Sequence, residues 1–415
     1  MTTFIAPATG GAPGAPSAAP VPVLDPQAIA QATQTLATAL AATAVERDRV
    51  GGHAPEQREL IRRSGLLLLS IPRAHGGAQA DWPTIFGTVQ RLAEVDSALA
   101  HVYAFHHLQM ASVLLFGNAE QHARLLGATA AHSLFWGNAL NPLDSGLTAT
   151  PRPGGWRLDG VKSYASGSVG CDRLCLSAHV RAQDAAAPQM MVAVVDAASP
   201  GVTVRLDWDS FGQRQTDSGS VQFDAVDLAQ RDVLVPPGAV PSPRSTLRSQ
   251  LAQLVLVNLY VGIARGALEA ARRFTLDHTR AWLTSGVARA ADDPLVQHRY
   301  GQLRLHVRAA ELAAEAAVQQ LQRCLDLGEA LTPTQRGVLA VGVAEAKVLA
   351  HRAAIEISSQ MFELTGSRST SARYGLDRFW RNARVHTLHD PVDYKLRDIG
   401  RYALEGELPL PTPYS

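Results

Sequence analysis

The apolar residues of this chain change their spacing twice, and that order limits the fold more than any single motif does. Helical spacing runs over residues 25–126, gives way to a period near two over 133–240, and returns from 241 to about 403. A first helix is expected from the Asp25-Pro26 start to the Gly51-Gly52 stop. Others are expected over 54–64, 82–95, 97–116, 246–283, 294–327, 333–364 and 377–387, with Gly328 and Pro333 marking a helix–helix corner. The middle stretch holds WRLDGV, LCLSAHV, QMMVAVVDA, GVTVRLDW and SGSVQFDAVDL, separated by Gly, Pro, Asp and Ser, which predicts a small β-barrel or sandwich.

At about 150 residues per domain, 415 residues allow two or three domains. The expected divisions are a disordered tail over 1–24, a helical domain over 25–132, a β-barrel over 133–240, and a helical bundle with an extended tail over 241–415. The 38 basic and 37 acidic side chains nearly cancel, which gives no electrostatic case for nucleic acid or an anionic membrane. Cys171, Cys175 and Cys324 are too few for a disulfide framework or a four-cysteine zinc site. The most apolar stretch, 251–271, is interrupted by Gln253, Asn258 and Arg265, and the N-terminus lacks a signal peptide's basic start, so a cytoplasmic location is expected. No dinucleotide fingerprint, P-loop, zinc helix motif or nucleophile elbow occurs.

Five clusters carry side chains suited to chemistry, each with a plain structural alternative. YASGSVG (164–170) offers backbone N–H groups and hydroxyls to a flat polar ligand or an anion, or is a simple turn. His386 and His389 stand three apart, as a proton-exchange pair or as helix-end caps. His101 and Phe105 share a helical face, as part of a site or as a core face with a satisfied histidine. Arg280 and the segment Gly366-Ser367-Arg368-Ser369-Thr370 read as phosphate contacts or as ordinary helix-end chemistry.

Set on the α–β–α order, ATAVERDRVGG (42–52), FWGNA (135–139), GQRQTDSGS (212–220), YGLDRFWRNARVHTLHDPVDYK (374–395) and the YASGS loop carry a resemblance. Over residues 25–405 the chain resembles the acyl-CoA dehydrogenase superfamily, an α+β fold of N-terminal helical domain, central β-barrel and C-terminal four-helix bundle. It is most similar to that superfamily's flavin-dependent monooxygenase branch, typified by the bacterial dibenzothiophene monooxygenases. The resemblance implies a two-component reaction. A separate NAD(P)H:flavin reductase supplies reduced FMN, O2 adds to give a C4a-hydroperoxyflavin, and one oxygen passes to a small apolar sulfide or an amine. It also implies a homotetramer and no metal.

The same resemblance assigns residues. His389 is the expected catalytic histidine, with His386 in support, Ser166 near flavin N5, and His101 and Asn138 in the active site. Trp136, Asn138, Ser166, Ser168, Arg280, Ser367, Arg368 and His389 are expected around FMN, Arg280 reaching it from a neighbouring subunit. Phe105, Tyr164 and Trp208 are expected as substrate-pocket walls. Two positions depart from the dibenzothiophene pattern: Phe105 replaces an expected Tyr and Ala165 an expected Cys, and both bear on substrate. Asp390, followed by a proline, stands where many acyl-CoA dehydrogenases carry the Glu that removes a substrate proton. An FAD-dependent acyl-CoA dehydrogenase, an N-hydroxylase of the same branch and a non-catalytic scaffold are the competing readings.

Overall fold

The computed structural model describes residues 24–180 and 189–415. Apart from Leu24, the expected tail lies outside the described residues. Helix α1 (Pro26–Ala41) starts where its chemistry places it: the Asp25 carboxylate accepts the Ala28 N–H at 2.8 Å and Pro26 opens the first turn. The single helix expected through residue 50 breaks at Thr43. Arg47 reaches back to the Leu40 carbonyl (2.9 Å) and the Thr43 hydroxyl (2.8 Å), capping α1 so that α2 (Ala44–Val50) begins afresh. Helix α3 (Pro55–Arg63) and two 3-10 turns lead to α4 (Trp82–Ala93) and α5 (Ser97–Phe116), whose N-termini are capped by Asp81 and Asp96. The short α6 (Ala119–Gln121) and α7 (Gly127–His132) complete this part.

Among the described residues eight strands follow: β1 (Trp136–Ala139), β2 (Leu147–Arg152), β3 (Gly155–Lys162), β4 (Arg173–Val180), β5 (Gln189–Asp196), β6 (Val202–Val204), β7 (Val221–Ala229) and β8 (Val233–Val235). They join in the order β6-β7-β3-β2-β4-β5-β8, with β1 parallel to β4. One face packs Leu158, Leu176, Met191, Phe223 and Val226 into a core of its own, and the other sets Cys175, Val192 and Val194 against Met110 and Val113 of α5. Among the described residues no ladder joins β6 to β8, so the barrel is open along that seam.

The remaining helices are α8 (Leu247–His278), α9 (Pro294–Asp326), α10 (Pro333–Thr365), α11 (Asp377–His386) and α12 (Val392–Glu405). Helix α8 is long and apolar enough to cross a membrane, but 83% of its most apolar window is buried between α4, α5, α9 and α10. It stops at His278 rather than at the expected 283, because Thr279 turns to extended backbone and Arg280 bridges to Arg289.

Helices α4 and α8 meet through glycine. A Cβ on Gly266 would lie 2.1 Å from the Glu94 carbonyl oxygen, and one on Gly262 would lie 2.5 Å from the Ala93 Cβ. Replacing a mid-helix glycine by alanine normally gains up to about 1 kcal/mol. Overpacking against a fixed backbone carbonyl costs about 1–3 kcal/mol. Gly266→Ala is therefore expected to lower the urea midpoint; a raised midpoint would show that α4 moves away freely.

Candidate active site

Helix α5 is buried along its whole length up to Val113, so each of its polar side chains must find a partner inside the protein. His106 and His107 do so completely. His106 donates from Nε2 to the Leu67 carbonyl (2.9 Å) and accepts the Trp136 N–H (3.2 Å). His107 donates to the Leu66 carbonyl (3.1 Å) and accepts the Ser70 hydroxyl (2.7 Å). These are core histidines.

His101 is different. Its ring stacks on Phe105, one helical turn on, at 4.1 Å between centroids, and its Nδ1 lies 2.7 Å from Nε2 of His386 at the end of α11. Burial, with the field of His389 added, lowers the His101 pKa to about 3. Burial and then His101 push His386 well below the usual imidazole range. Both rings are neutral at physiological pH, one donating and one accepting. Their other nitrogens, Nε2 of His101 and Nδ1 of His386, are buried with no partner among the described residues. Each costs about 1–3 kcal/mol unless a ligand atom meets it. The alternative of a satisfied core histidine holds for His106 and His107 and fails for His101.

His389 follows α11 with a half-exposed ring. Its Nδ1–H donates to Asp390 Oδ1 at 3.0 Å, leaving Nε2 for a ligand. The same carboxylate oxygen takes the Lys347 ammonium at 3.0 Å, and Lys347 also donates to Gln253 (3.0 Å). Burial alone would raise Asp390, but the hydrogen bond from His389 and the Lys347 charge outweigh it and hold the carboxyl below its usual range. Lys347, buried, is lowered to about 8, with Asp390 opposing the shift. The Tyr260 hydroxyl donates to the His386 carbonyl at 2.8 Å, fixing the turn that carries both histidines.

The sheet supplies the second wall. Gln109, two turns beyond His101 on α5, donates to Asn138 Oδ1 at 3.0 Å, and the Asn138 N–H donates to the Ser166 carbonyl at 2.9 Å. Ser166 is clamped between neighbours, the Ala165 N–H reaching Gly219 O (2.9 Å) and the Gly167 N–H reaching Thr216 O (2.8 Å). Arg58 ties the same two loops together, donating to the Gly167 carbonyl and to Asp217, each at 3.1 Å. The Ser166 hydroxyl lies 2.8 Å from that of Ser218.

Other expected residues fall elsewhere. Trp136 and Ser168 are each only 1% exposed and have no surface left to offer a ligand. The Trp136 indole N–H donates to Thr129 at 2.9 Å and its ring packs in the core under α5, while the Ser168 hydroxyl donates to the Asp217 carbonyl. In this structure both side chains serve packing and loop-locking, and their expected cofactor contacts stay an expectation. Tyr164, exposed and at φ 54°, sets its ring edge-on to Trp208 at 6.2 Å. Arg280 lines a cavity of about 500 Å³ with Thr275, Thr279, Trp282 and Arg289, and none of the histidines or Ser166 borders it. Ser367 and Arg368 are exposed on a 3-10 turn after α10, and neither Arg280 nor Arg368 pairs with an acid among the described residues. Gln109, Thr216, Ser218, Tyr260 and Lys347 were not picked out from sequence. Lys347 left one signal, a lone cation on the apolar run VAEAKVLA.

Two family models match this chain: the acyl-CoA dehydrogenase N-terminal domain over residues 25–133 and the C-terminal domain over 254–394. The chain is 41% identical over 380 residues to a probable FMNH2-dependent monooxygenase, SfnC, of Pseudomonas putida, covering 92% of this chain and 95% of that one. Methanesulfinate monooxygenase MsuC of Pseudomonas fluorescens superposes with a TM-score of 0.90 at 42% identity, covering 93% of this chain and 99% of MsuC. TdsC of Paenibacillus sp. A11-2, a dibenzothiophene monooxygenase solved with FMN and indole, superposes with a TM-score of 0.90 at 39% identity, covering 94% of this chain and all of TdsC. The chain belongs to the acyl-CoA dehydrogenase family. Within it, the chain is an oxidoreductase of the FMNH2-dependent monooxygenase branch.

The buried histidines have a consequence for stability. Unfolded, each protonates near 6.5; folded, His101 and His106 hold out to about 3 and about 4, and His107 and His386 also lie well below 6.5. Below about 6.5 the unfolded state binds the extra protons, so stability falls with pH, by up to about 1.4 kcal/mol per unit for each ring. Urea midpoints are expected to drop between pH 7.5 and pH 5; equal midpoints would contradict the assignment of neutral buried rings.

Proposed function

We propose that this protein uses reduced FMN and O2 to oxygenate a small apolar organosulfur compound, a dibenzothiophene-like sulfide passing to its sulfoxide and sulfone. The observation that carries oxygenation over dehydrogenation is the state of Asp390. A base that removes a substrate C–H proton needs a carboxylate free to approach it. Asp390 is instead buried and tethered through Oδ1 by both His389 and Lys347, its Oδ2 is enclosed without a partner among the described residues, and the carboxyl is kept strongly acidic. Its work is to orient His389.

The buried groups fit a flavin. Ser166, Asn138 and the unpartnered nitrogens of His101 and His386 present polar atoms to a flat heteroaromatic ring from two walls. When bound, reduced FMN supplies the electrons and the carbon, C4a, at which O2 is activated. The chain's own residues do the rest. His389, its Nδ1 donated to Asp390, offers Nε2 to take or give the proton that oxygen transfer requires. Phe105 and its stacked partner His101 give the substrate an apolar face. The neutral imidazole pair keeps charge out of a site that must hold a soft sulfur nucleophile and exclude water.

Arg280, Ser367 and Arg368 hold the FMN phosphate across a subunit boundary, which explains why Arg280 lies apart from the histidines within one protomer. Exposed Trp282 and Leu283 beside Arg280, and Leu295, Leu305 and Leu312 on α9, support a homotetramer built on these helices. A separate reductase supplies the reduced flavin. MsuC and TdsC support the sulfur chemistry through the substrates their names state, and SfnC supports the use of reduced FMN.

Protein mixed anaerobically with photoreduced FMN and then with O2 and dibenzothiophene is expected to form sulfoxide and to reoxidise the flavin more slowly than free FMN. His389→Ala should cut product at least about 100-fold, the lower range for a lost acid–base group, while hydrogen peroxide release continues. Reoxidation at the free-flavin rate without oxygenated product, followed by bleaching of bound FAD by an acyl-CoA, would replace this reading with the dehydrogenase one.

A further inference from the structure

Ser166 sits at the end of a chain of hydroxyls whose direction the structure fixes. The chain begins at the Gln213 carbonyl, which can only accept. Thr216 donates its single hydroxyl proton to that carbonyl at 2.9 Å. Ser218 donates to the Thr216 oxygen at 2.8 Å. The Ser218 proton being committed there, the 2.8 Å contact between Ser166 and Ser218 is made by the Ser166 proton. All four residues are buried, so water does not reverse the order. The backbone clamps at Ala165 and Gly167, with Arg58 across both loops, hold the chain in register.

A hydroxyl has one proton. With it directed at Ser218, Ser166 has only lone pairs for any ligand it meets. We infer that Thr216 and Ser218 are specificity-determining residues that make Ser166 an obligate acceptor, so that the site admits flavin in its reduced state and disfavours the oxidised one. The chemistry is a change of sign at a single flavin atom. Reduced flavin carries N–H at N5 and donates to such an acceptor. Oxidised flavin has a lone pair at N5, and two lone pairs facing each other in a buried site leave both atoms unpaired. The inference rests on the reading above that Ser166 meets flavin N5. It gives a physical reason for a protein that takes reduced flavin from solution to release it once oxidised: the fixed hydroxyl chain turns against the product.

The test is a binding ratio, independent of turnover. Dissociation constants for photoreduced FMN under nitrogen and for oxidised FMN are measured calorimetrically on the wild-type protein, Thr216→Val and Ser218→Ala. Either substitution frees the Ser166 proton to turn towards the ligand, and Thr216→Val keeps the buried shape. The wild type is expected to prefer reduced FMN, and both variants to lose at least about fivefold of that preference, the smaller effect of leaving a buried acceptor unpaired, chiefly through tighter binding of oxidised FMN. Thermal unfolding midpoints check that the variants are folded. A wild-type preference for reduced FMN that survives unchanged in both variants would overturn the role of the hydroxyl chain while leaving the flavin reading intact. A wild-type protein that binds neither form would overturn both.

Discussion

The structure depends on one helix with no solvent face. Buried up to Val113, α5 carries His101, His106, His107 and Gln109 inside the protein, and it directs them to two sides. His106 and His107 pin the 3-10 segment around Leu66–Leu68 with every ring nitrogen used. His101, Phe105 and Gln109 line another face at four-residue intervals, His101 meeting His386 and Gln109 meeting Asn138. Sheet and bundle are both built against this helix. Burial of α5 therefore sets the distance between Asn138 on one side and His386 on the other.

Around that helix, charge is used to hold parts still rather than to react. Arg58 pairs with Asp217 at 3.1 Å and holds the Ser166 loop to the Ser218 loop, and Lys347 pairs with Asp390 at 3.0 Å and steadies His389. Buried ion pairs of this kind add little net stability, because desolvation offsets attraction, but removing one partner strands the other. Their effect here is geometric. They hold neutral groups, imidazoles and hydroxyls, in place with fixed donor and acceptor roles. A site that handles an oxygen-activating cofactor needs that control of protons and exclusion of water more than it needs charge of its own.

The order of helices and strands was legible because burial of one face imposes a period on the sequence, and Ser97–Phe116 was bounded by its own chemistry, Asp96 at the start and Gly117 at the end. The break at Thr43 was not legible, because it is made by an arginine folding back on the preceding turn. Trp136 looked like a cofactor contact through its motif, yet a tryptophan in that motif packs inward as readily, and here its N–H meets Thr129. Thr216 and Ser218 lay within a motif that marked the family, but nothing in a run of small polar residues says which hydroxyl donates to which.

The sequence by itself determined the α–β–α order, the caps of the long helices and the histidines available for proton exchange, since each follows from side-chain chemistry acting over a few neighbouring residues. Only the tertiary structure decided which histidines are satisfied in the core and which keep a nitrogen free, that Asp390 is bound by both His389 and Lys347, and which way the hydroxyl chain runs. Those properties belong to pairs more than 40 residues apart, His101 with His386, Lys347 with Asp390 and Ser166 with Ser218. A donor becomes a donor only when its partner is in place.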